Sequence, residues 1–209
     1  MKHRALTAHS IRRAEEHLRA SDPVMAAIIT RVGRCGLGRA KREDPFIAVI
    51  EAIIWQQLST KAAATIYGRF LKLFHGGRPT PAAILAASDE ALRGVGLSRG
   101  KVAYLRDLSM KVTDGTVHLE SLETMTDEEV VSAMTQVKGI GQWSAEMFLM
   151  FRLQRADVLP VGDLGIVKAI QRHYRLRKTP TPERMYRIAE QWRPYRSVAS
   201  WYLWASIDG

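Results

Sequence analysis

The sequence predicts an all-α protein with about ten to twelve short helices and essentially no sheet. Capping residues followed by proline begin several apolar runs, and the connections between those runs are short and marked by glycine. No stretch alternates polar and apolar residues between hairpin dipeptides, as the strands of a half-exposed sheet do. Apolar residues make up 46% of the 209-residue chain, which is enough to bury a core in one large domain or in two small lobes.

The predicted helices have clear start signals. A side-chain oxygen can accept a hydrogen bond from the unpaired amides of a first turn, and proline at the first helical position has no amide to leave unpaired. This pattern occurs four times, at Asp22-Pro23, Asp44-Pro45, Thr80-Pro81 and Thr181-Pro182. Thr126 with Glu129 predicts a capping box. Three serines are further candidate caps: Ser59, Ser88 and Ser98.

The charge balance points to a polyanionic partner. The formal net charge is +10 and the isoelectric point is near 10.0. Basic domains of this kind often bind phosphate backbones, and the alternative is a basic surface without such a partner. Nucleic acid is therefore the first partner to consider.

Several classes of protein are excluded by the sequence. The apolar run 46–55 is interrupted by Glu51 and is shorter than the roughly 20 residues of a membrane span. Residues 1–20 lack the apolar stretch of a signal peptide, so we expect a cytoplasmic protein without a membrane partner. Cys35 is the only cysteine, which rules out an intrachain disulfide, a thiolate zinc site and an iron–sulfur cluster.

Segment 137–145 is the most informative part of the chain. Two glycines one residue apart, Gly139 and Gly141, permit a tight and partly left-handed turn between two predicted helices. Ile140 can fill the gap between those helices, while backbone amides of the turn hold a phosphate at the positive end of the second helix. The alternative is a plain interhelical turn.

This segment resembles the helix-hairpin-helix of the DNA glycosylase superfamily, whose signature is that hairpin followed by a Gly/Pro-rich loop ending in an aspartate. The second element is present as 159–166, where Asp163 follows Gly141 by 22 residues. Two further blocks, 53–59 and 192–204, also match. Within the superfamily the chain is most similar to the DNA-3-methyladenine glycosylase II branch, in a compact form without an N-terminal sheet domain.

The resemblance implies two helical lobes with the active site in the cleft between them. Residues 45–156 would form the lobe with the wedge loop and the hairpin, and residues 1–44 with 157–209 would form the second lobe. The implied protein is a monomer that acts on double-stranded damaged DNA, on the nucleoid if the source is bacterial. The implied reaction is hydrolysis of the N-glycosidic bond of alkylated purines, of the 3-methyladenine and 7-methylguanine type, in base excision repair.

The resemblance makes Asp163 the catalytic residue, and the chemistry agrees with that role. Cleavage of an N-glycosidic bond builds positive charge on the sugar, which a nearby carboxylate can stabilise while it orients or deprotonates a water. A base alkylated on a ring nitrogen is already cationic and leaves without an acid. The structural alternative is an N-cap for a helix from Leu164, and the two roles are compatible.

The residue at position 143 indicates whether the enzyme also cleaves the DNA strand. In bifunctional relatives a lysine two residues after the second hairpin glycine attacks the sugar and permits strand cleavage. Trp143 occupies that place here, and its neighbours Gln142 and Ser144 cannot form an imine. We therefore expect no lyase activity, with water as the acceptor.

The resemblance also implies which residues form the base pocket and the wedge. Trp143, Trp204, Met147 and Trp55 would line the pocket, where aromatic faces favour a cationic base. Gly165, smaller than the apolar residue found there in some relatives, suggests a roomier pocket. Leu58 is the predicted wedge that fills the space of the flipped nucleotide, with Gln57 and Ser59 as neighbours in an uncertain register, and a buried helix-end role as its alternative.

Contacts with the DNA backbone are expected from the hairpin. The predicted residues are Lys138, Gly139, Gly141, Gln142 and Ser144. Further candidate phosphate contacts are Lys61, Arg99, Lys101 and Lys168. The alternative for each of them is an ordinary charge exposed to solvent. The family also implies a monovalent cation, Na⁺ or K⁺, on the main-chain carbonyls of Thr135, Val137 and Ile140, and no other cofactor.

Two other functions stay open at this stage. The first is a non-catalytic helix-hairpin-helix module that only binds DNA, against which Asp163 and the pocket aromatics argue. The second is a glycosylase for an oxidised, deaminated or mismatched base.

Overall fold

Regular structure in this computed structural model consists of twelve α-helices and three short 3₁₀ turns within the residues that the structure describes, 6–38 and 44–207, and no strand occurs among them. The all-α prediction is therefore confirmed. The helices are α1 Ala8–Ser21, α2 Pro23–Val32, α3 Pro45–Trp55, α4 Thr60–Leu71, α5 Pro81–Ala86, α6 Asp89–Gly94, α7 Arg99–Thr113, α8 Asp127–Thr135, α9 Gln142–Phe151, α10 Leu164–His173, α11 Pro182–Ala189 and α12 Arg196–Ala205. None of them is long and apolar enough to cross a bilayer.

The predicted helix starts are confirmed. In each of the four cap-proline pairs the capping oxygen accepts a first-turn amide and the proline is the first helical residue. Thr126 and Glu129 form the reciprocal capping box of α8. The three predicted serine caps begin α4, α6 and α7. These signals are local, so they can be interpreted without knowing the tertiary structure.

The chain divides into two units. The central unit is Arg42–Phe148, and the discontinuous unit is Met1–Lys41 with Leu149–Gly209. The second boundary therefore falls inside α9, earlier than the predicted residue 156. The backbone explains the difference, because the carbonyls of Gln154 and Ala156 accept the amides of Leu6 and Ser197, which both belong to the discontinuous unit.

In the discontinuous unit, α1, α2, α10 and α12 share one apolar core. Two aromatic residues of the 192–204 block, Trp192 and Tyr202, are fully buried in it. Cys35 is also buried, and burial raises the pKa of its thiol to about 11. A thiol in that state stays protonated and unreactive, in line with a passive core residue.

Asp22 is a buried carboxylate that joins separate segments of the discontinuous unit. Its Oδ1 caps α2 by accepting the Val24 amide at 2.8 Å. Its Oδ2 accepts the Trp192 indole N–H at 2.8 Å, the Gln191 amide group at 2.9 Å and the Tyr174 hydroxyl. Burial and the adjacent carboxylate raise the pKa of Tyr174, so this hydroxyl remains a donor.

We expect Asp22→Ala to lower the free energy of unfolding by about 3 kcal/mol or more, because it leaves several buried donors without an acceptor. Asp44→Ala is the matched control, since Asp44 is also an N-cap before proline but is exposed. Its loss should cost about 1 kcal/mol. Denaturant unfolding of the two variants would measure the difference, and equal values would show that the buried network contributes little.

In the central unit, α7 packs against α3, α5 and α6. Its buried face includes Leu105 and Leu108, and α3 adds the fully buried Ile53 and Ile54. This packing fixes the position of the turn after α3 and of the turn between α8 and α9. Both turns contain residues that the sequence predicted to contact DNA.

Candidate functional site

The hairpin between α8 and α9 has the predicted backbone. Gly139 has a φ of 80°, in the left-handed region that favours glycine, whereas Gly141 has no positive φ. Ile140 is buried, as expected of a residue that fills the gap between two helices. Within the part of the chain that the structure describes, the amides of Gly139 and Gly141 donate no hydrogen bond. Both N–H groups are therefore available to an external acceptor.

Helix α7 supports the hairpin through contacts that were not predicted from the sequence. The ring of Tyr104 lies so close to Gly139 that a Cβ there would be 2.2 Å from ring atom Cδ2. Asp107 accepts the Lys138 amide at 2.8 Å, and the Lys111 ammonium contacts both Asp107 and the carbonyl of Gln136.

The charge state of Asp107 follows from these contacts. Burial opposes its ionisation, but the Lys138 amide and the Lys111 ammonium outweigh that effect and hold its pKa below the usual range. Lys101, Tyr104, Asp107 and Lys111 recur at spacings of three and four residues, so they share one face of α7. That spacing shows that the four side chains share a helix face, but it does not show which segment the face contacts.

The turn between α3 and α4 contains the predicted wedge residues. Gln57 is exposed and has a φ of 55°, Leu58 is half-buried, and Ser59 caps α4 through the Ala62 amide. The preceding residue, Gln56, donates from its side chain to the Gly139 carbonyl at 3.0 Å and lies 3.4 Å from the Ser144 hydroxyl. The wedge turn is thus tied directly to the hairpin.

Several predicted phosphate contacts have partners within the protein. The ammonium of Lys101 donates to the carbonyls of Ile54 at 2.6 Å and Gln56 at 2.8 Å, and burial lowers its pKa. Lys101 thus caps the end of α3, and the predicted phosphate contact would have to use the remaining N–H of its ammonium. Gln142 donates to Glu146 at 3.0 Å. The Lys138 side chain is 71% exposed, 3.8 Å from Asp107, and Lys61, Arg99 and Lys168 are exposed.

In the discontinuous unit, Asp163 is the N-cap of α10. Its Oδ1 accepts the Ile166 amide at 2.8 Å, so the structural alternative considered from the sequence is real. The same oxygen also accepts the Trp204 indole N–H at 2.8 Å. The Trp204 ring stacks on Phe151, with ring centroids 5.9 Å apart and planes 25° apart. Two rigid donors therefore orient the carboxylate.

The space beside Gly165 differs from the sequence-based expectation. A Cβ at this position would lie 2.9 Å from Cδ1 of Trp204 and 3.0 Å from Oδ1 of Asp163. The expectation that Gly165 enlarges the base pocket is therefore wrong at this point, because the Trp204 indole fills the space that a side chain would take.

The other predicted pocket residues belong to the central unit. Trp143 and Met147 lie one turn apart on α9; Trp143 is 47% exposed and Met147 is half-buried. Trp55 ends α3, and its buried indole N–H has no hydrogen-bond partner among the described residues. The structure brings Trp204 together with Asp163 directly. Among the described residues, no group of three or more His, Cys, Asp or Glu side chains could hold a metal ion.

The sequence and the fold are similar to those of known proteins. A family model described as HhH-GPD superfamily base excision DNA repair protein matches residues 50–194. DNA-3-methyladenine glycosylase 1 of Schizosaccharomyces pombe is 35% identical over 198 residues, which are 93% of this chain and 87% of that relative.

Solved structures agree with the sequence comparison. The 3-methyladenine DNA glycosylase of S. pombe in complex with abasic DNA superposes with a TM-score of 0.80 at 35% identity, covering 92% of this chain and 95% of that one. A DNA-3-methyladenine glycosidase from Bacillus halodurans gives a TM-score of 0.80 at 36% identity, covering 91% and 87%. The chain belongs to the HhH-GPD superfamily of base excision DNA repair proteins.

Proposed function

We propose that this protein is a monofunctional DNA glycosylase that hydrolyses the N-glycosidic bond of alkylated purines, of the 3-methyladenine and 7-methylguanine type, in base excision repair. The observation that carries the proposal is the oriented carboxylate of Asp163 beside the Trp204 indole. The substrate class rests on relatives named for 3-methyladenine, at about a third identity over nearly the whole chain.

The proposed reaction needs one carboxylate. As the bond to the base lengthens, positive charge develops on the sugar, and the Asp163 carboxylate stabilises it and orients or deprotonates the attacking water. The bond between C1′ and the ring nitrogen breaks, its electron pair leaves with the base, and water supplies the new C1′–O bond. An N-alkylated purine is cationic before cleavage, so it leaves as a neutral base without a general acid.

Aromatic residues favour that cationic base. The family resemblance assigns contact with the base to Trp143, Trp204 and Trp55, and also to Met147, whose thioether is polarizable. The face of an indole attracts a cation by roughly 1–2 kcal/mol, which selects alkylated over neutral purines. The indole N–H of Trp55 is a buried donor that an acceptor atom of the bound base can satisfy.

DNA is engaged by the hairpin and the wedge turn. The amides of Gly139 and Gly141, with exposed Lys138, hold a phosphate of the backbone, and Gln142 and Ser144 begin the helix that follows. The turn after α3 enters the space left by the flipped nucleotide, with Leu58 as the wedge next to the exposed Gln57. Ser59 anchors that turn to α4.

A monovalent cation fits the hairpin by the chemistry of its donors. Main-chain carbonyl oxygens of Thr135, Val137 and Ile140 are hard ligands suited to Na⁺ or K⁺. The Val137 carbonyl already accepts the Ile140 amide at 3.1 Å, which leaves one lone pair for an ion. A bound cation would make the electrostatic potential at the phosphate more positive.

The proposed enzyme works as a monomer on double-stranded damaged DNA, in the cytoplasm or on the nucleoid. It requires no cofactor, and a Na⁺ or K⁺ ion at the hairpin would be structural. The two alternatives considered from the sequence differ from it in measurable ways, because a DNA-binding module releases no base and another glycosylase releases a different one.

The test uses duplex DNA treated with a methylating agent. We expect release of 3-methyladenine and 7-methylguanine, detected by chromatography, and a product strand that stays unnicked until alkali is added. Borohydride should trap no covalent complex, since Trp143 stands where an imine-forming lysine would be. Binding without release would support the DNA-binding module, release only from oxidised or deaminated DNA would support the second alternative, and efficient trapping would contradict the hydrolytic mechanism.

A further inference from the structure

Oδ1 of Asp163 accepts hydrogen bonds from donors in different parts of the chain. The Ile166 amide belongs to the same helix terminus, and the Trp204 indole comes from α12, 41 residues later. Both bonds are 2.8 Å long and end on Oδ1. Two donors on one oxygen fix the rotation of the carboxyl group, and therefore the direction of its second oxygen.

Gly165 makes the second of these bonds possible. Its Cβ would lie 2.9 Å from Cδ1 and 3.2 Å from Nε1 of Trp204, as well as 3.0 Å from Oδ1 of Asp163. Even the smallest side chain would therefore displace the indole, the carboxylate or both. Gly165 has no positive φ, so a requirement for glycine arises from this contact and not from the backbone conformation.

We propose that Trp204 and Gly165 are positioning residues for Asp163, with Gly165 leaving the space through which the Trp204 indole reaches the carboxylate. This inference rests on the proposed glycosylase function. Trp204 would then do more than contact the base. Its indole N–H would hold the Asp163 carboxylate in the orientation that stabilises the positive charge developing on the sugar. Small displacements of a catalytic group can cost roughly 10²-fold in rate.

The kinetic test is a double-mutant cycle of Gly165→Ala and Trp204→Phe, measured as single-turnover excision at saturating enzyme. We expect Gly165→Ala to lower the rate roughly 10- to 100-fold without changing the affinity for duplex DNA or the midpoint of thermal unfolding. In the Trp204→Phe background, which has no N–H to position, Gly165→Ala should have a clearly smaller effect than in the wild type, because only its direct contact with Oδ1 of Asp163 can still act on the carboxylate. Gly94→Ala is the matched control, because its Cβ would meet no atom within 4 Å.

A spectroscopic readout tests the contact independently of activity. The chain has five tryptophans, so the indole N–H signal of Trp204 can be assigned by its loss in Trp204→Phe. We expect Gly165→Ala and Asp163→Asn to shift that signal and Gly94→Ala to leave it unchanged. An unshifted signal in Gly165→Ala would overturn the inference.

The outcomes separate the inference from the proposed function. If the wild type excises alkylated bases and Gly165→Ala does so equally fast, the positioning role is wrong while the function stands. Additive effects in the cycle would also overturn it, since Gly165 would then act independently of the indole. If the wild type excises no alkylated base, the proposed function fails, and with it the catalytic role of the contact, whatever the spectrum shows.

Discussion

Asp163→Asn should lower the rate of base excision by roughly 10²–10³-fold or more while leaving DNA affinity nearly unchanged. Asparagine keeps the size of aspartate, and its carbonyl oxygen can still accept the Ile166 amide and the Trp204 indole N–H. It is also a good N-cap, so α10 should remain intact. What the variant loses is the negative charge opposite the developing charge on the sugar. Single-turnover excision and a binding titration on the same lesion-containing duplex measure the two effects.

Asp44→Asn is the matched control for this variant. Asp44 is also an N-cap, on α3, and its Oδ1 accepts the Phe46 amide at 2.8 Å. The same substitution there should leave excision at the wild-type rate. An Asp163→Asn enzyme as active as the wild type would remove Asp163 from the reaction and reduce it to a helix cap.

Features encoded within a few residues could be predicted from the sequence. Each predicted cap joins a side chain to an amide two or three positions away, as Asp22 does with Val24 and Met25. The left-handed turn at Gly139 belongs to the same class, because glycine and its immediate neighbours determine it. The helical architecture could therefore be predicted from composition, capping and spacing.

Contacts between distant residues could not be predicted in this way. Gln56 and Gly139 are 83 positions apart, Asp107 and Lys138 are 31 apart, and Asp163 and Trp204 are 41 apart. The family resemblance identified Asp163 and Trp204 as site residues but did not reveal the hydrogen bond between them.

The role of a charged residue is also hard to predict from sequence when it depends on a distant partner, as for Lys101. In the sequence it is one more basic residue in a chain with 31 lysines and arginines. Its ammonium also caps a helix because α7 packs beside the end of α3, where two carbonyls need donors. The pattern of a single helix contains no information about that neighbour.

The second prediction with a large effect concerns the hairpin, where the two glycines have different roles. Gly139 has a positive φ and lies against Tyr104, so a side chain there would disrupt the turn itself. Gly141 has neither constraint, and a Cβ there would meet no protein atom within 4 Å. A substitution at Gly141 therefore tests the approach of a phosphate without first breaking the fold.

We expect Gly141→Val to weaken binding roughly 10- to 100-fold on every duplex sequence, damaged or not, because the added methyl groups keep the phosphate from the hairpin amides. The slope of log affinity against log salt should fall by about 0.9 for each phosphate that is no longer neutralised. The midpoint of thermal unfolding should change little, and excision by DNA-saturated enzyme should change less than affinity does. Fluorescence anisotropy across a salt series measures the binding.

Gly94→Val is the control for this variant, since a Cβ at the exposed end of α6 also meets no atom within 4 Å and the residue lies outside the hairpin. It should bind DNA as the wild type does. The comparison distinguishes a backbone clamp from a plain interhelical turn, because only a clamp needs open space above Gly141. If Gly141→Val kept wild-type affinity for undamaged duplex at every salt concentration, the hairpin would not contact the phosphate, and exposed basic side chains such as Arg99 and Lys61 would become the DNA-binding surface to test.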